Sequence, residues 1–294
     1  MKDGWINLYK ARGLSSNAAL SKVKKILKIK KAGHTGTLDP EAEGVLPIAI
    51  GEATKTITYI TNEVKAYQFK IKFGFATDSG DLEGKIIAHS EHLPSKLDIT
   101  RVLPEFTGAI KQIPPIYSAI KINGERAYDL ARKGKEFEVP EREVTIHELQ
   151  LLDYDDITQE ASFLVECSKG TYVRSLGRDI AIRLRSEACC TLINRVKSGV
   201  FSSDFAITLE ELEKIVYSGE LKNYLKAVEF VLDDIPVVNL LTPQMQQKIR
   251  NGQHTEVPID PNLSMFCKAI YQNKLVAVGQ VVSGFFQPER VFNI

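Results

Sequence analysis

The stretch AYQFKIKFGF, residues 66–75, alternates strictly between two kinds of side chain. Every second residue from Tyr67 to Phe75 is bulky and apolar, and the polar residues between them are Gln68, Lys70 and Lys72. Successive side chains of a strand point to opposite faces, so this period of two predicts a β-strand with one buried and one solvated face. Such a strand is typical of an antiparallel sheet, which the rest of the chain must cover on one side.

Two stretches with helical spacing can provide that cover. The first follows Ser15 to Asn17, which can cap a helix, and ends before Gly33; its apolar stripe comprises Leu20, Val23, Ile26 and Leu27. The second begins at Ser175, with a stripe of Leu176, Ile180 and Leu184. Strands are also predicted at residues 4–10 and 162–167. We therefore predict an α+β fold with a mixed, largely antiparallel central sheet and flanking helices.

The pattern changes near residues 233–236. A chain of 294 residues is longer than one ordinary core usually organises, so a second, smaller domain is expected. Short strand-like runs dominate the last part, and residues 272–274 are typical of a tight hairpin turn. We predict a catalytic domain at 1–232 and a C-terminal β domain at 233–294.

Residues 122–144 differ from the rest of the predicted first domain. They are rich in Arg and Lys and are bounded by glycine and proline. A short amphipathic helix over Ala127–Lys133 ends at Gly134. We interpret this segment as an excursion from the sheet.

Composition excludes several classes of protein. No apolar run approaches the roughly 18 residues needed to cross a bilayer, and the first residues lack the apolar core of a signal peptide, so a cytoplasmic location is expected. The four cysteines form neither a CxxC pair nor a zinc-type spacing with histidine, so we expect buried, reduced thiols and no metal.

Charge is balanced in total but unevenly distributed. The chain has 38 Lys and Arg against 37 Asp and Glu. Residues 22–31 hold six lysines and no acid, residues 169–197 carry seven cations against two acids, and acids concentrate in residues 204–234. This segregation suits binding of a polyanion on one face, although a charge run is more often only solvated surface.

A loop that follows the first basic region, GHTGTLDPEAEGVLP at residues 33–47, contains one aspartate, Asp39, which lies between Leu38 and Pro40. It does not match the phosphorylated DKTGT loop of ion pumps, because glycine stands where the phosphorylated aspartate would be. GEATKT at residues 51–56 lacks the spacing of a phosphate-binding loop. Taken alone, Asp39 fits an Asp-Pro turn and Tyr67 fits a core position.

Together, however, these residues belong to a longer pattern that resembles the pseudouridine synthases, and within them the TruB family. The resemblance runs collinearly over nearly the whole chain. Six ordered segments carry it: SSNAALSKVKK, AGHTGTLDPEAEGVLPIAIGEATK, KAYQFKIKFGFATDSGDLEG, IPPIYSAIKINGERAYDLARKG, CSKGTYVRSLGRDIA and PVVNL. It implies isomerisation of uridine to pseudouridine in the T-loop of tRNA, at position 55, without cofactor or metal.

The resemblance also implies roles for individual residues. Asp39 would be the catalytic carboxylate, and Arg174 would pair with it and orient it. Three routes remain open for Asp39: attack at C6 of the base, attack at C1′ of the ribose, or abstraction of a ribose proton. Because a stacked uracil cannot reach a carboxylate in a cleft, the nucleotide must flip out. Tyr67, which we also count among the catalytic residues, and Tyr172 would then lie against the base.

Two further substrate contacts follow from the same resemblance. His34 would position the displaced nucleotide. Where the family usually has Leu-Arg-Arg, this chain has Ile193, Asn194 and Arg195, and Ile193 can supply the apolar contact.

RNA capture is expected to fall to cations in the basic helix, the excursion and the second helix region. These are Lys22, Lys25, Lys31, Arg126, Arg132, Lys133, Arg178 and Arg195. The C-terminal module resembles a PUA-like domain that would lie against the acceptor-stem side of tRNA. The expected partner is the tRNA T-arm, with no membrane and no obligate protein partner, and the expected state is a monomer.

Two alternative functions remain open. A non-catalytic RNA-binding protein could use the same surface. The second alternative is a related synthase that acts on guide-RNA complexes or on another RNA. Such relatives usually carry long basic extensions, which we do not find in this sequence.

Overall fold

The structure is a computed structural model that describes residues 3–60 and 63–294. The strands that it contains, in chain order, are β1 (Gly4–Lys10), β2 (Ala32–His34), β3 (Glu43–Ile50), β4 (Lys65–Phe73), β5 (Phe75–Thr77), β6 (Ile86–His89), β7 (Gly108–Gln112), β8 (Lys121–Ile122), β9 (Glu125–Arg126), β10 (Arg142–Asp155), β11 (Glu160–Cys167), β12 (Ala188–Ser198), β13 (Phe201–Ser202), β14 (Val237–Asn239), β15 (Thr255–Glu256), β16 (Met265–Tyr271), β17 (Lys274–Val282) and β18 (Phe285–Val291).

The α-helices in the same described residues are α1 (Ser16–Leu27), α2 (Ile57–Ile60), α3 (Lys96–Val102), α4 (Ala127–Arg132), α5 (Val173–Arg183), α6 (Leu209–Ser218), α7 (Leu221–Tyr224) and α8 (Pro243–Arg250). Short 3₁₀ turns cover Gly51–Thr56, Leu103–Phe106, Ser203–Phe205 and Val228–Leu232. Within this part of the chain, no helix is both long enough and apolar enough to cross a bilayer.

A nine-stranded sheet forms the larger part of the molecule. Its strand order is β1-β3-β12-β4-β11-β10-β7, with β2 beside β3 and β13 beside β12. The β3–β12 pair is parallel, through Asn194 opposite Glu43, and the other pairs are antiparallel. The predicted α+β fold with a mixed, largely antiparallel sheet is therefore confirmed.

The stretch in which apolar and polar side chains alternate lies at the centre of this sheet as β4. Phe69, Ile71 and Phe73 are buried, whereas Gln68 and Lys72 are exposed. The strand ends at Phe73 because Gly74 takes a φ of +104°, so Phe75 belongs to a separate small hairpin. The period of two predicted the strand, and the glycine shortened it.

Helices α1 and α5 cover one face of the sheet, and both differ from prediction at an end. Ser15 caps α1 as expected, but the helix ends at Leu27 because Lys28 adopts the left-handed conformation; Gly33 lies in β2. Helix α5 begins at Val173, two residues before the predicted Ser175, with Tyr172 as its N-cap.

The C-terminal residues form a second sheet in the order β14-β16-β17-β18-β15. The predicted hairpin is confirmed: β16 and β17 meet at Gln272 and Asn273, which both have positive φ, as a tight turn requires. One buried cluster joins this sheet to the larger one through side chains that include Trp5, Leu275 and Phe292. The boundary between residues 232 and 233 stays a prediction.

The predicted excursion is largely outside the main sheet. It consists of the β8–β9 hairpin, α4 and an irregular return. Its last three residues differ from prediction, because β10 already begins at Arg142 and pairs with β7.

Candidate active site

Two buried polar side chains, Ser16 and Lys10, fix the loop that carries Asp39 by hydrogen bonds to its backbone. Ser16 Oγ accepts a hydrogen bond from the amide of Leu38 at 2.8 Å and donates one to its carbonyl at 2.9 Å. Leu38 is itself buried in the main core. This two-way contact fixes the backbone immediately before Asp39.

Lys10 holds the residue on the other side of Asp39. Its side chain is fully buried, and Nζ donates to the carbonyls of Ala11, Leu14 and Pro40 at 3.1, 2.6 and 3.3 Å. Burial lowers the pKa of Lys10 to about 8, although nearby Asp39 opposes this change. The loop is thus anchored on both sides of the carboxylate.

Asp39 forms an ion pair with Arg174, the second residue of α5. Asp39 Oδ2 lies 2.6 Å from Arg174 Nη2, with 39% of the aspartate side chain exposed but only 4% of the arginine. Arg174 also donates to the carbonyls of Ser79 and Tyr117, at 2.8 and 3.0 Å. The guanidinium is therefore fixed from several directions, while the carboxylate keeps an open side.

Asp81 is a site residue that the sequence analysis missed. Its Oδ2 lies 3.3 Å from Arg174 Nη1, and its Oδ1 accepts hydrogen bonds from Ser79 Oγ at 2.6 Å and from the Glu83 amide at 3.1 Å. It lies in the connection between β5 and β6. The one available signal was its place in the family-like segment KAYQFKIKFGFATDSGDLEG.

Five of the six predicted catalytic and substrate-binding residues line one cavity of about 350 Å³: Asp39, Tyr67, Tyr172, Arg174 and Ile193. They come from the loop between β2 and β3 (residues 35–42, the motif loop), β4, α5 with its N-cap, and β12. The sequence placed them up to 154 residues apart along the chain, from Asp39 to Ile193 (193 − 39). The cavity combines a negative group with aromatic and aliphatic walls.

Tyr67 lies deep in this cavity. It is only 9% exposed, and burial raises the pKa of its phenol, so the ring stays neutral. Tyr67 is opposite Arg195 in the β4–β12 register.

Arg195, one of the predicted RNA contacts, is buried. It is only 1% exposed, and its contact with RNA stays a prediction. Its Nε donates to the Val45 carbonyl at 2.7 Å and its Nη2 to the Gly36 carbonyl at 3.2 Å. It therefore braces the motif loop and lines the cavity instead of forming the outer surface.

His34 is the predicted site residue that does not line the cavity. It is half-buried on β2, next to the motif loop. Burial, with a smaller contribution from Arg195, lowers the pKa of His34, which favours the neutral imidazole. Its role toward the nucleotide stays a prediction.

The other predicted RNA contacts lie in three places. Lys22 and Lys25 are exposed on α1, whereas Lys31 lies beyond that helix and pairs with Glu52 at 3.0 Å. In the excursion, Arg126 and Arg132 each lie 5.8 Å from the Tyr128 ring, and Lys133 pairs with Glu125 at 2.8 Å. On α5, Arg178 pairs with Asp179 at 2.8 Å.

The cysteines and the possible metal ligands were also located. The four cysteines are buried and free, as predicted. In residues 3–60 and 63–294, no three His, Cys, Asp or Glu side chains are grouped so that they could hold a metal ion.

Comparison with known proteins agrees with the fold. The family model described as "TruB family pseudouridylate synthase (N terminal domain)" matches residues 24–173, about half of the chain. The chain therefore belongs to the TruB family of pseudouridylate synthases.

Individual relatives are similar over the full length. A protein named tRNA pseudouridine synthase B from Rickettsia bellii is 43% identical, covering 100% of this chain and 99% of its own. The protein of the same name from Ehrlichia chaffeensis is 41% identical, covering 99% of each chain.

Solved structures show the same fold at lower identity. A chain in the structure of an H/ACA RNP bound to a substrate RNA containing 2′-deoxyuridine gives a TM-score of 0.74 at 22% identity, covering 99% of this chain and 85% of that one. A chain in a Cbf5-Nop10-Gar1 complex gives 0.73 at 24% identity, covering 99% and 84%.

Proposed function

We propose that the protein isomerises a uridine of tRNA to pseudouridine, at position 55 in the T-loop. Membership of the TruB family supports the reaction, and the full-length relatives named tRNA pseudouridine synthase B support tRNA as the substrate. The observation that carries the proposal is the Asp39 carboxylate, which is partly open to a cavity while Arg174 holds it at 2.6 Å.

The reaction rearranges one nucleoside and needs no external energy source. The bond from N1 of uracil to C1′ breaks, the base turns, and a bond from C5 to C1′ forms, with loss of the C5 proton and gain of a proton at N1. A carboxylate can assist such cleavage as a nucleophile or as a base. Asp39 is assigned that role.

The cavity walls suit a flipped pyrimidine. Flipping a nucleotide out of a folded loop costs about a few kcal/mol, which stacking and hydrogen bonding in the site must offset. Tyr67 and Tyr172 supply aromatic surface, and Ile193 supplies an apolar contact. His34, beside the motif loop, is assigned to the displaced part of the substrate.

The exposed cations supply the attraction for the RNA backbone. Folded RNA is recognised largely by shape and backbone contacts, and specificity comes from unstacked bases. Lys22 and Lys25 on α1, and Arg126 and Arg132 beside Tyr128, are exposed and suit such contacts. We assign the T-arm to this surface, and propose that the protein acts as a monomer in the cytoplasm, with residues 1–232 as the catalytic domain.

Incubation of the purified protein with an unmodified tRNA transcript tests the proposal. New pseudouridines are mapped by carbodiimide-dependent stops in primer extension. We expect one new stop, at position 55, and none in a matched transcript with cytidine there. A transcript that stays unmodified, or a stop only at other uridines, would reject the proposed substrate position.

A further inference from the structure

Tyr172 is the N-cap of α5, a position for which tyrosine is poorly suited. Good N-cap residues use a short side chain to accept hydrogen bonds from the first helical amides. Tyr172 makes no such bond, and the residue lines the cavity. Other groups must therefore fix this residue, and they come from the edge of the sheet.

The first of these groups is Gln112, the last residue of β7. It is 1% exposed, and its amide contacts the backbone of Tyr172 twice. Gln112 Oε1 accepts from the Tyr172 amide at 2.8 Å, and Nε2 donates to the Tyr172 carbonyl at 3.1 Å. A two-point contact fixes both position and rotation of the peptide groups, which a single bond does not.

The second group is Arg142, the first residue of β10. It is directly opposite Gln112 in the β7–β10 register, so the two side chains lie next to each other on one face of the sheet. The guanidinium carbon of Arg142 lies 5.6 Å from the centre of the Tyr172 ring, and Nη1 is 3.4 Å from the Gly170 carbonyl. Arg142 is absent from the cavity lining, so it supports the ring from outside.

We propose that Gln112 and Arg142 form a clamp that presets the Tyr172 ring, and through it the start of α5, for the flipped nucleotide. The clamp rests on the proposed function, because it deepens the assignment of Tyr172 as a wall for the base. Gln112 fixes the backbone of Tyr172, and Arg142 fixes the ring by a cation–π contact. Both are positioning residues, because they act through Tyr172.

The segment that follows β7 also contacts Arg174 and Ser175. Ser175 Oγ donates to the Ile113 carbonyl at 2.8 Å, and Arg174 Nη2 donates to the Tyr117 carbonyl at 3.0 Å. The end of β7 and the segment after it thus contact three residues at the start of α5: Tyr172, Arg174 and Ser175. A preset aromatic wall and a preset arginine reduce the ordering that must occur when the nucleotide enters.

The contact can be tested without activity. In the protein with ¹³C-labelled tyrosine, the ring signals of Tyr172 are assigned by their loss in Tyr172→Phe. We expect Arg142→Met and Gln112→Glu each to shift these signals, since the first removes the cation and the second removes the donor to the Tyr172 carbonyl. Lys111→Met, which removes an exposed cation one residue away on the same strand, serves as the matched control and should leave them unchanged. Unmoved Tyr172 signals in both clamp variants would overturn the proposal.

Kinetics test the consequence for the reaction. We expect Arg142→Met to lower the single-turnover rate at saturating tRNA about tenfold, with the Kd for tRNA within about threefold, and Arg142→Lys to recover most of the rate. In a Tyr172→Leu background, Arg142→Met should cost less than about twofold, because the ring it supports is gone.

A direct phosphate contact by Arg142 would give the opposite pattern. The Kd would then rise, the saturating rate would hold, and the effect would persist in the Tyr172→Leu background; this result would overturn the clamp. If Arg142→Met does not fold, Gln112→Glu carries both measurements. A wild-type protein that forms no pseudouridine would refute the proposed function, whereas the tyrosine signals would still report on the clamp.

Discussion

At the scale of single residues, Arg174 serves two carboxylates at once. It pairs with Asp39 at 2.6 Å and with Asp81 at 3.3 Å, and it is 4% exposed. A buried guanidinium without partners would be strongly destabilising, and Asp81 and the two carbonyl acceptors supply further partners besides Asp39. This leaves Asp39 with one fixed oxygen and one open side.

Asp81→Asn tests this division of roles. The substitution keeps the shape but removes the charge that orients Arg174. We expect the single-turnover rate to fall about tenfold to a hundredfold, as loss of one charge-assisted contact of about 1.5–3 kcal/mol implies. The Kd for tRNA should change little, since Asp81 is buried. Unchanged kinetics in Asp81→Asn would show that Arg174 does not need the second carboxylate.

A sequence motif predicts which residues come together better than it predicts how deeply they are buried. Asp39, Tyr67 and Arg174 line one cavity, and they were predicted together because they lie in family-like segments; their catalytic roles stay predictions. The burial of Arg195 was not predicted, because the sequence gives its charge but not its depth; the residue lies on β12, which pairs with β3. Asp81 had no distinct local pattern.

At the scale of elements, the close packing of α5 against the sheet sets the position of Arg174 in the site. Gly177 faces β4 and β12 so closely that an added Cβ would lie 2.7 Å from Ile71 Cγ2 and 3.2 Å from Cys190 Sγ. The helix can approach the sheet only because this residue lacks a side chain. Arg174 is one turn away on the same helix.

Gly177→Ala should therefore push α5 away from the sheet. Overpacking a filled core costs about 1–3 kcal/mol, against at most about 1 kcal/mol gained from the helix propensity of alanine. We expect a net loss of about 1 kcal/mol in unfolding free energy by urea titration, together with a slower single-turnover rate. Ile182→Ala, which shortens a side chain 59% exposed on the same helix, is the control and should change neither. A stabilised, fully active Gly177→Ala would contradict the close approach.

The sequence predicted which elements exist better than where they end. The alternation of apolar and polar residues predicted β4, and the helical spacing of apolar residues predicted α1 and α5, because both patterns repeat over many residues. Their ends depend on single backbone conformations: Lys28 stops α1, Gly74 stops β4, and Tyr172 starts α5 without a recognisable cap. Such local choices leave no periodic signal.

At the scale of the whole molecule, Glu52 ties the two sheets together. Its carboxylate pairs with Lys55 at 2.6 Å and Lys31 at 3.0 Å and accepts from the Asn293 amide at 2.9 Å, while Lys55 also donates to the Val291 carbonyl at 2.7 Å. Burial alone would raise the pKa of Glu52, but these hydrogen bonds lower it to about 2.

This pKa gives the junction a defined dependence on pH. Because the folded pKa lies below the ordinary value of 4.5, Glu52 stabilises the fold fully above about pH 4.5, and that contribution is lost as the pH falls toward 2. We expect Glu52→Gln to lower the unfolding free energy at pH 7 by on the order of 2 kcal/mol, and to make the difference from wild type shrink in acid.

Thermal melts from pH 7 to pH 2.5 measure this effect. Glu125→Gln, which removes an exposed partner of Lys133, is the matched control and should leave the melting temperature nearly unchanged. A difference in melting temperature between Glu52→Gln and wild type that stays constant across this range would contradict a stabilising role for the ionised Glu52 carboxylate.

The most direct measurement of the central claim follows tritium release from tRNA labelled at C5 of uridine, with wild-type protein and with Asp39→Asn. The C5 proton must leave when C5 bonds to C1′, so release reports the isomerisation itself. We predict release with the wild type, none above background with Asp39→Asn, and tRNA binding by the variant within about tenfold of wild type. Release by Asp39→Asn at a rate close to wild type would contradict the assignment of Asp39 as the catalytic carboxylate.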